Sequence, residues 1–147
     1  MNTTQKNNAE SKFYHLIYLS QPTEYLNKSE LINMLTKAQI NNIDHDISGI
    51  LIIKDKSIFQ LLEGNKDTVL ALYEKIKNDK RHKTPLIIFE GFSSYRSIPF
   101  LGMALTLNQS DDHLEIDHDF YFSRSDALKF TALISGKVKE LLLSYLE

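Results

Sequence analysis

The chain has 147 residues, 42% of them hydrophobic and 24% charged, the size and make-up of one soluble globular unit with its own core. Seventeen Lys and Arg against nineteen Asp and Glu leave a net charge of -2, with no basic run of five or more, so direct nucleic-acid binding is not expected. The absence of cysteine removes disulfides, thiolate metal sites and cysteine nucleophiles, and accords with a cytoplasmic location.

Residues 1–12 are polar, with no apolar segment behind a charged start, and read as a disordered tail and not a signal peptide. Apolar runs such as Leu86 to Phe89 fall far short of the ~20 residues that span a bilayer, so no transmembrane helix is expected. Phe13 to Ser20 is aromatic and β-branched on both alternating faces, as in an inner strand covered from two sides, and it contains Tyr18. Ser29 then caps a predicted helix whose apolar positions Leu31, Leu35 and Ala38 lead by the same stripe to Asn42. A semi-buried amide there needs partners from its own loop or from a ligand.

Residues 47–63 predict a hairpin about the charged turn Lys54, Asp55 and Lys56. In its second strand Ile58, Gln60 and Leu62 share one face and Phe59, Leu61 and Glu63 the other, so Gln60 interrupts an apolar face. Gly64 and Asn65 end the strand and start a helix with Val69, Leu72, Tyr73 and Ile76 on its buried stripe, stopping near Asn78. Pro85 introduces a fourth strand, Leu86 to Phe92, and Gly102 to Leu107 reads as a fifth.

The element order predicts an α+β, ferredoxin-like βαββαββ sheet with two helices on one face and the opposite face bare. Asn108 to Asp119 is acidic, lacks periodicity and reads as a linker. From Ser125 to Glu147, Phe130, Ile134, Val138, Leu141 and Tyr145 form an amphipathic stripe, with a break indicated near Gly136 and a capping box at Ser123 and Asp126. This extension is expected to cover the bare face or to pair with another copy of itself.

Common catalytic signatures are missing. Gly49, Gly64, Gly91, Gly102 and Gly136 are too scattered to cradle a phosphate, and HExxH, GxSxG and CxxC do not occur. Asp44, His45 and Asp46, and again Asp111, Asp112, His113, Asp117, His118 and Asp119, carry metal-ligand chemistry without ligand spacing on a regular element, so they read as solvated loops and no metal is expected. What remains is three polar side chains on apolar faces: Tyr18, Asn42 and Gln60. Singly, a strand Tyr is most often core and a helix-end Asn a cap, but a buried Gln without partners costs about 1–3 kcal/mol per group.

LIYLS around Tyr18, the pair Asn41 and Asn42, ISG with Ser48 and Gly49, FQLLEG around Gln60, and Asp79, Arg81 and His82 resemble the BLUF family, sensors of blue light using flavin adenine dinucleotide. The resemblance covers about Phe13 to Leu107, with Asn42, Gln60 and Met103 lying 24, 42 and 85 residues after Tyr18, as in the family pattern. It implies a photoreceptor and not an enzyme, holding FAD non-covalently, with FMN or riboflavin as alternatives. By the same resemblance Tyr18 is the redox-active tyrosine, Gln60 the switching amide, Asn42 a flavin-carbonyl contact and Met103 the fifth-strand side chain beside Gln60. Asn41, Asp79, Arg81 and His82 then line the flavin and its ribityl or phosphate end. Leu101 stands where the family often carries tryptophan, which this chain lacks, and Ala38 where relatives often carry serine.

On this reading light drives electron and proton transfer from Tyr18 through Gln60, leaving the amide rotated or tautomerised and the absorption shifted slightly red. The domain organisation is then a tail at 1–12, a flavin-binding domain at 13–107, and a linker with C-terminal helical segment at 108–147. The signal is expected to pass through the fifth strand to the C-terminal helices and on to a partner protein, with a homo-oligomer also expected. Two rivals are an interaction module of the same fold without flavin, suggested by Leu101 and Ala38, and an acylphosphatase-like hydrolase recruiting Arg81 and Asn42.

Overall fold

A strand whose side chains are buried on both faces has to lie between two layers, and strand β1 (Phe13–Ser20) sets the architecture in this way. The structure is a computed structural model that describes residues 13–21, 27–80, 83, 85–108 and 121–147, without the side chains of Lys28 and Leu31. The expected tail, most of the expected linker with its acidic and histidine positions, the stripe residue Leu31, and Arg81 and His82 lie outside this description.

After β1 come α1 (Lys28–Asp44), β2 (Ser48–Lys54), β3 (Ser57–Gly64), α2 (Lys66–Lys77), β4 (Leu86–Ser93), β5 (Ala104–Asn108), α3 (Arg124–Thr131) and α4 (Gly136–Leu146). This is the expected α+β order βαββαββ, followed by two C-terminal helices. The sheet runs β4-β1-β3-β2-β5, antiparallel throughout except for the parallel pair β2 and β5. On one face Tyr14, Leu16, Tyr18 and Leu62 pack with Leu35 of α1 and Val69 and Tyr73 of α2. On the other, Ile17, Ile50, Ile52, Phe59 and Leu61 pack with Ala127 of α3 and Val138, Leu142 and Leu146 of α4. The C-terminal segment therefore covers the second face.

Local details differ from the sequence pattern. Asn27, not Ser29, caps α1, its side chain accepting from the Glu30 backbone N–H at 2.9 Å; this places an acidic residue at the third helical position. β5 begins at Ala104 and not Gly102, because Gly102 turns the chain with a φ of +111°. The break expected near Gly136 is present, splitting the C-terminal stripe into α3 and α4 where Gly136 at φ +81° redirects the backbone, but the buried positions differ. Val138, Leu142 and Leu146 are buried, while Leu141 and Tyr145 are half-buried flanks.

β4 and β5 are consecutive in sequence yet occupy opposite sheet edges, so residues 94–103 must cross the end of the sheet past β1, β3 and β2. Glu63 of the central strand holds this crossing strap. Its carboxylate is fully buried and accepts from the backbone N–H groups of Ser97 and Ile98, both at 2.8 Å, and from Ser48 Oγ at 3.1 Å. His15 Nδ1 lies 2.6 Å from its other side. Arg96 donates to Ser48 Oγ at 2.9 Å and to the carbonyls of Glu63 at 3.1 Å and Asp46 at 2.7 Å, with its guanidinium over the Phe13 ring. A buried carboxylate is tolerated because these donors replace its water.

Glu63→Ala removes the centre of this cluster and leaves two backbone donors buried without an acceptor. We predict a loss of about 3–5 kcal/mol in urea unfolding; a loss under about 1 kcal/mol would mean the strap is held by its apolar residues instead.

Candidate functional site

Residues directly opposite on adjacent antiparallel strands hold their side chains side by side, and the β1–β3 register places Tyr18 opposite Gln60. A separation of 42 residues in sequence thereby becomes a contact, in which Tyr18 Oη donates to Gln60 Oε1. The other end of the same carboxamide, Nε2, donates to Met103 Sδ at 3.5 Å. All three side chains are buried. Met103 belongs to the segment leading into β5, which is separated from β3 by β2, so it must reach across that strand. It can do so because Gly49 of β2 has no side chain: a Cβ there would lie 3.2 Å from Met103 Cε and would collide with the Leu61 carbonyl.

The Tyr18 ring meets Tyr73 of α2 edge-on, 5.6 Å between centroids. Burial, followed by the neighbouring Tyr73 and Asp79, pushes the Tyr18 phenol well above the usual tyrosine value of 10.0. The phenol is therefore held as a proton donor.

This chain of groups forms the floor of a cavity of about 290 Å³ between α1, α2 and the sheet. Met34 and Leu35 of α1 and Leu72 and Ile76 of α2 give it apolar walls, while Tyr18, Gln60 and Asn42 add polar groups. Asn41, Asp79, Lys37 and Lys75 also line it, as does Ala38 with a methyl and no hydroxyl. Apolar walls with a few convergent hydrogen-bonding groups suit a flat heteroaromatic ring with carbonyls and nitrogens along one edge, and the volume has room for such a ring system. The residues present thus fit the ring of a flavin.

Of the residues singled out in the sequence, Tyr18, Asn41, Asn42, Gln60, Asp79 and Met103 line this one cavity. Asn42 is buried and its Nδ2 donates to the Gly102 carbonyl at 3.4 Å, so it also ties α1 to the strap. Asp44, His45 and Asp46 are exposed, and His45 Nδ1 lies 2.7 Å from the Asn41 carbonyl. Among the described residues no group of three or more His, Asp or Glu is placed to hold a metal ion. Sequence reasoning passed over Gln39, a buried residue whose Oε1 accepts from the Met103 backbone N–H. Its signal was present: Gln39 lies four residues after Leu35 and three before Asn42, on the same helical stripe.

Residues 13–104 match the model of the family described as BLUF, sensors of blue-light using FAD. The match is to a sensor module and not to a catalytic one. The blue light- and temperature-regulated antirepressor BluF of Escherichia coli is 30% identical over 107 residues, covering 71% of this chain and 27% of that protein. A structure of BlrP1 from Klebsiella pneumoniae, a manganese and cy-diGMP complex, superposes with a TM-score of 0.73 at 25% identity, covering 91% of this chain and 32% of that one. The dark-state structure of BlrB, a BLUF protein, shares the fold over 93% of this chain and 96% of its own, with a TM-score of 0.65 and 18% identity. The chain spans 27% or less of the length of the first two curated relatives it matches.

The raised Tyr18 pKa has a measurable consequence. Because the folded value lies above the unfolded one, the protonated phenol contributes stability that is fully present below pH 10.0 and is lost as pH rises through the folded value. In a phenolate absorbance titration of the folded protein, Tyr18→Phe should leave the signal at pH 10.0 unchanged; a reduced signal would show Tyr18 ionising as an ordinary tyrosine.

Proposed function

The chain belongs to the BLUF family, sensors of blue light using FAD, and from that premise we propose that Tyr18, Gln60 and Met103 form its light-driven hydrogen-bond switch. The observation that carries this reading is the continuous chain of contacts from Tyr18 Oη through both ends of the Gln60 carboxamide to Met103 Sδ, on the floor of a ring-sized cavity. A flavin held there supplies, on absorbing blue light, an oxidant strong enough to take an electron from a phenol. We assign FAD as that flavin; FMN and riboflavin carry the same ring.

Tyr18 keeps its proton at neutral pH and presents it to Gln60 Oε1, so loss of phenol electron density releases that proton onto the amide oxygen. The Gln60 carboxamide, with donor and acceptor ends, relays the proton; when the electron and the proton return to Tyr18 the phenol is neutral again, and the amide is left rotated or tautomerised. In a rotated amide Nε2 faces Tyr18 Oη and Oε1 faces Met103 Sδ. Two acceptors then oppose each other where a donor met a thioether, so the Met103 contact is lost. The walls around Tyr18 and Gln60 exclude water that would otherwise compete for these groups. Asn42, Asn41 and Asp79 line the same cavity, and we assign them, with Arg81 and His82, to holding the flavin and its ribityl or phosphate end.

Output follows the backbone. Met103 leads into β5, whose Leu105 carbonyl accepts from the Phe122 N–H ahead of α3 at 2.8 Å, and whose Asn108 Nδ2 donates to the Tyr145 carbonyl of α4 at 2.7 Å. Tyr145 Oη is also 2.8 Å from Ser57 Oγ of β3. A shift of β5 therefore bears on both C-terminal helices. We place the flavin domain at 13–107 and the output segment at 108–147, read by a partner protein or by a second copy of the chain in the cytoplasm. Among the described residues no helix is long and apolar enough to cross a membrane.

The primary test is the visible spectrum of protein purified in the dark with flavin, before and after a blue flash. We expect oxidised-flavin bands that shift slightly red and recover in the dark; flavin without a shift, or colourless protein, would overturn the reading. Tyr18→Phe should keep flavin, since its ring still packs against Tyr73, and lose the shift entirely. Gln60→Leu should likewise leave a spectrum that light does not convert. Amide exchange should change from Gly102 onward on illumination; identical protection in dark and light would remove β5 from the output route.

A further inference from the structure

α1 holds a second buried carboxamide that the switch described above does not use. Gln39 is 3% exposed, and its Nε2 finds no hydrogen-bond partner among the described residues. A buried amide donor left without a partner is unfavourable, so the position is explained by what its acceptor end holds. That end accepts from the Met103 backbone N–H. The carboxamide fits where it does because residue 102 is glycine: a Cβ there would fall on the Gln39 side chain.

The Gly102–Met103 pair is thus gripped at three of its four backbone groups. The Gly102 N–H donates to the Ile47 carbonyl at 2.8 Å, the Gly102 carbonyl accepts from Asn42 Nδ2, and the Met103 N–H goes to Gln39. Two of these three partners are α1 side chains. The Met103 thioether then has little freedom but to lie beside Gln60 Nε2, over Gly49.

We propose that Gln39 is a positioning residue of the switch: by holding the Met103 backbone N–H from α1 it keeps the thioether against Gln60 and sets how fast the light-adapted form returns. This rests on the photoreceptor reading. The Gln39 bond belongs to the arrangement in which Gln60 Nε2 faces Met103. Removing it lowers the preference for that arrangement, so return to it slows.

The test compares dark recovery of the red-shifted spectrum in the parent protein, Gln39→Met and Gln39→Glu, each with its flavin content measured. Gln39→Met fills the space without a strong acceptor, and recovery is expected to slow about tenfold, the effect of one buried hydrogen bond. Gln39→Glu keeps an oxygen for the Met103 N–H and is expected to recover within about twofold of the parent. Equal recovery in the parent and Gln39→Met, at equal flavin content, overturns the proposal. If Gln39→Met fails to fold, exchange of the Met103 amide in the parent decides: slow exchange in the dark that quickens under blue light supports the clasp, and an unprotected or light-indifferent amide overturns it. A parent protein that binds flavin without any red shift refutes the photoreceptor reading itself, a result distinct from either of these.

Discussion

A primary carboxamide in the middle of a sheet has donors and an acceptor to satisfy away from water, and much of this structure is arranged so that Gln60 can do so. The β1–β3 register brings Tyr18 to its oxygen, and the crossing of the strap from one sheet edge to the other brings Met103 to its nitrogen. Neither partner is local in sequence. Were either missing, Gln60 would be a buried polar group with an open end, costing about 1–3 kcal/mol. The thioether is the weaker of the two acceptors available to an amide N–H, which leaves that end of Gln60 less firmly held than the end facing Tyr18. A group tightly bound at one end and loosely at the other is suited to turning.

The two faces of β3 illustrate two uses of buried polarity. Gln60 faces the cavity, its carboxamide bonded at one end to a phenol and at the other to a thioether. Glu63, three residues on and on the opposite face, is enclosed by backbone N–H groups, Ser48 and His15 that fix the strap in place. One site has a single partner at each end of its amide; the other gathers several donors on one buried carboxyl group and is costly to disturb. The strap that Glu63 fixes ends in Gly102 and Met103, so the Glu63 cluster helps to place the thioether beside Gln60. Leu101 is half-buried within this strap, and Met103 beyond it reaches Gln60.

The parts of the site legible in the sequence were those whose chemistry contrasted with their surroundings. Tyr18, Asn42 and Gln60 each interrupted an apolar periodicity, and that contrast survives without knowledge of partners. Strand order was not legible, because the parallel pairing of β5 with β2 depends on a ten-residue crossing with no periodic pattern of its own. Glu63 was visible only as the odd member of an apolar face, since its partners come from β1, β2 and the strap. Gln39 lay on the right stripe but beside Ala38, and apolar spacing alone favoured the alanine. In the C-terminal stripe Gly136 marked the break, but spacings of four and three that run through it could not fix the buried set, which falls one residue on from Leu141 and Tyr145, at Leu142 and Leu146.

The crossing strap also orders the assembly of the molecule. β5 takes its parallel bonds from β2, which a short hairpin joins to β3, and it arrives on a tether that spans the whole sheet end. Closing that loop costs chain entropy before any β5 contact offsets it, which makes seating of the fifth strand a late event. Because that strand brings Met103 with it, the cavity acquires its last wall at the same moment, and a chain stalled one step earlier would present an open groove with Gln60 satisfied only by Tyr18.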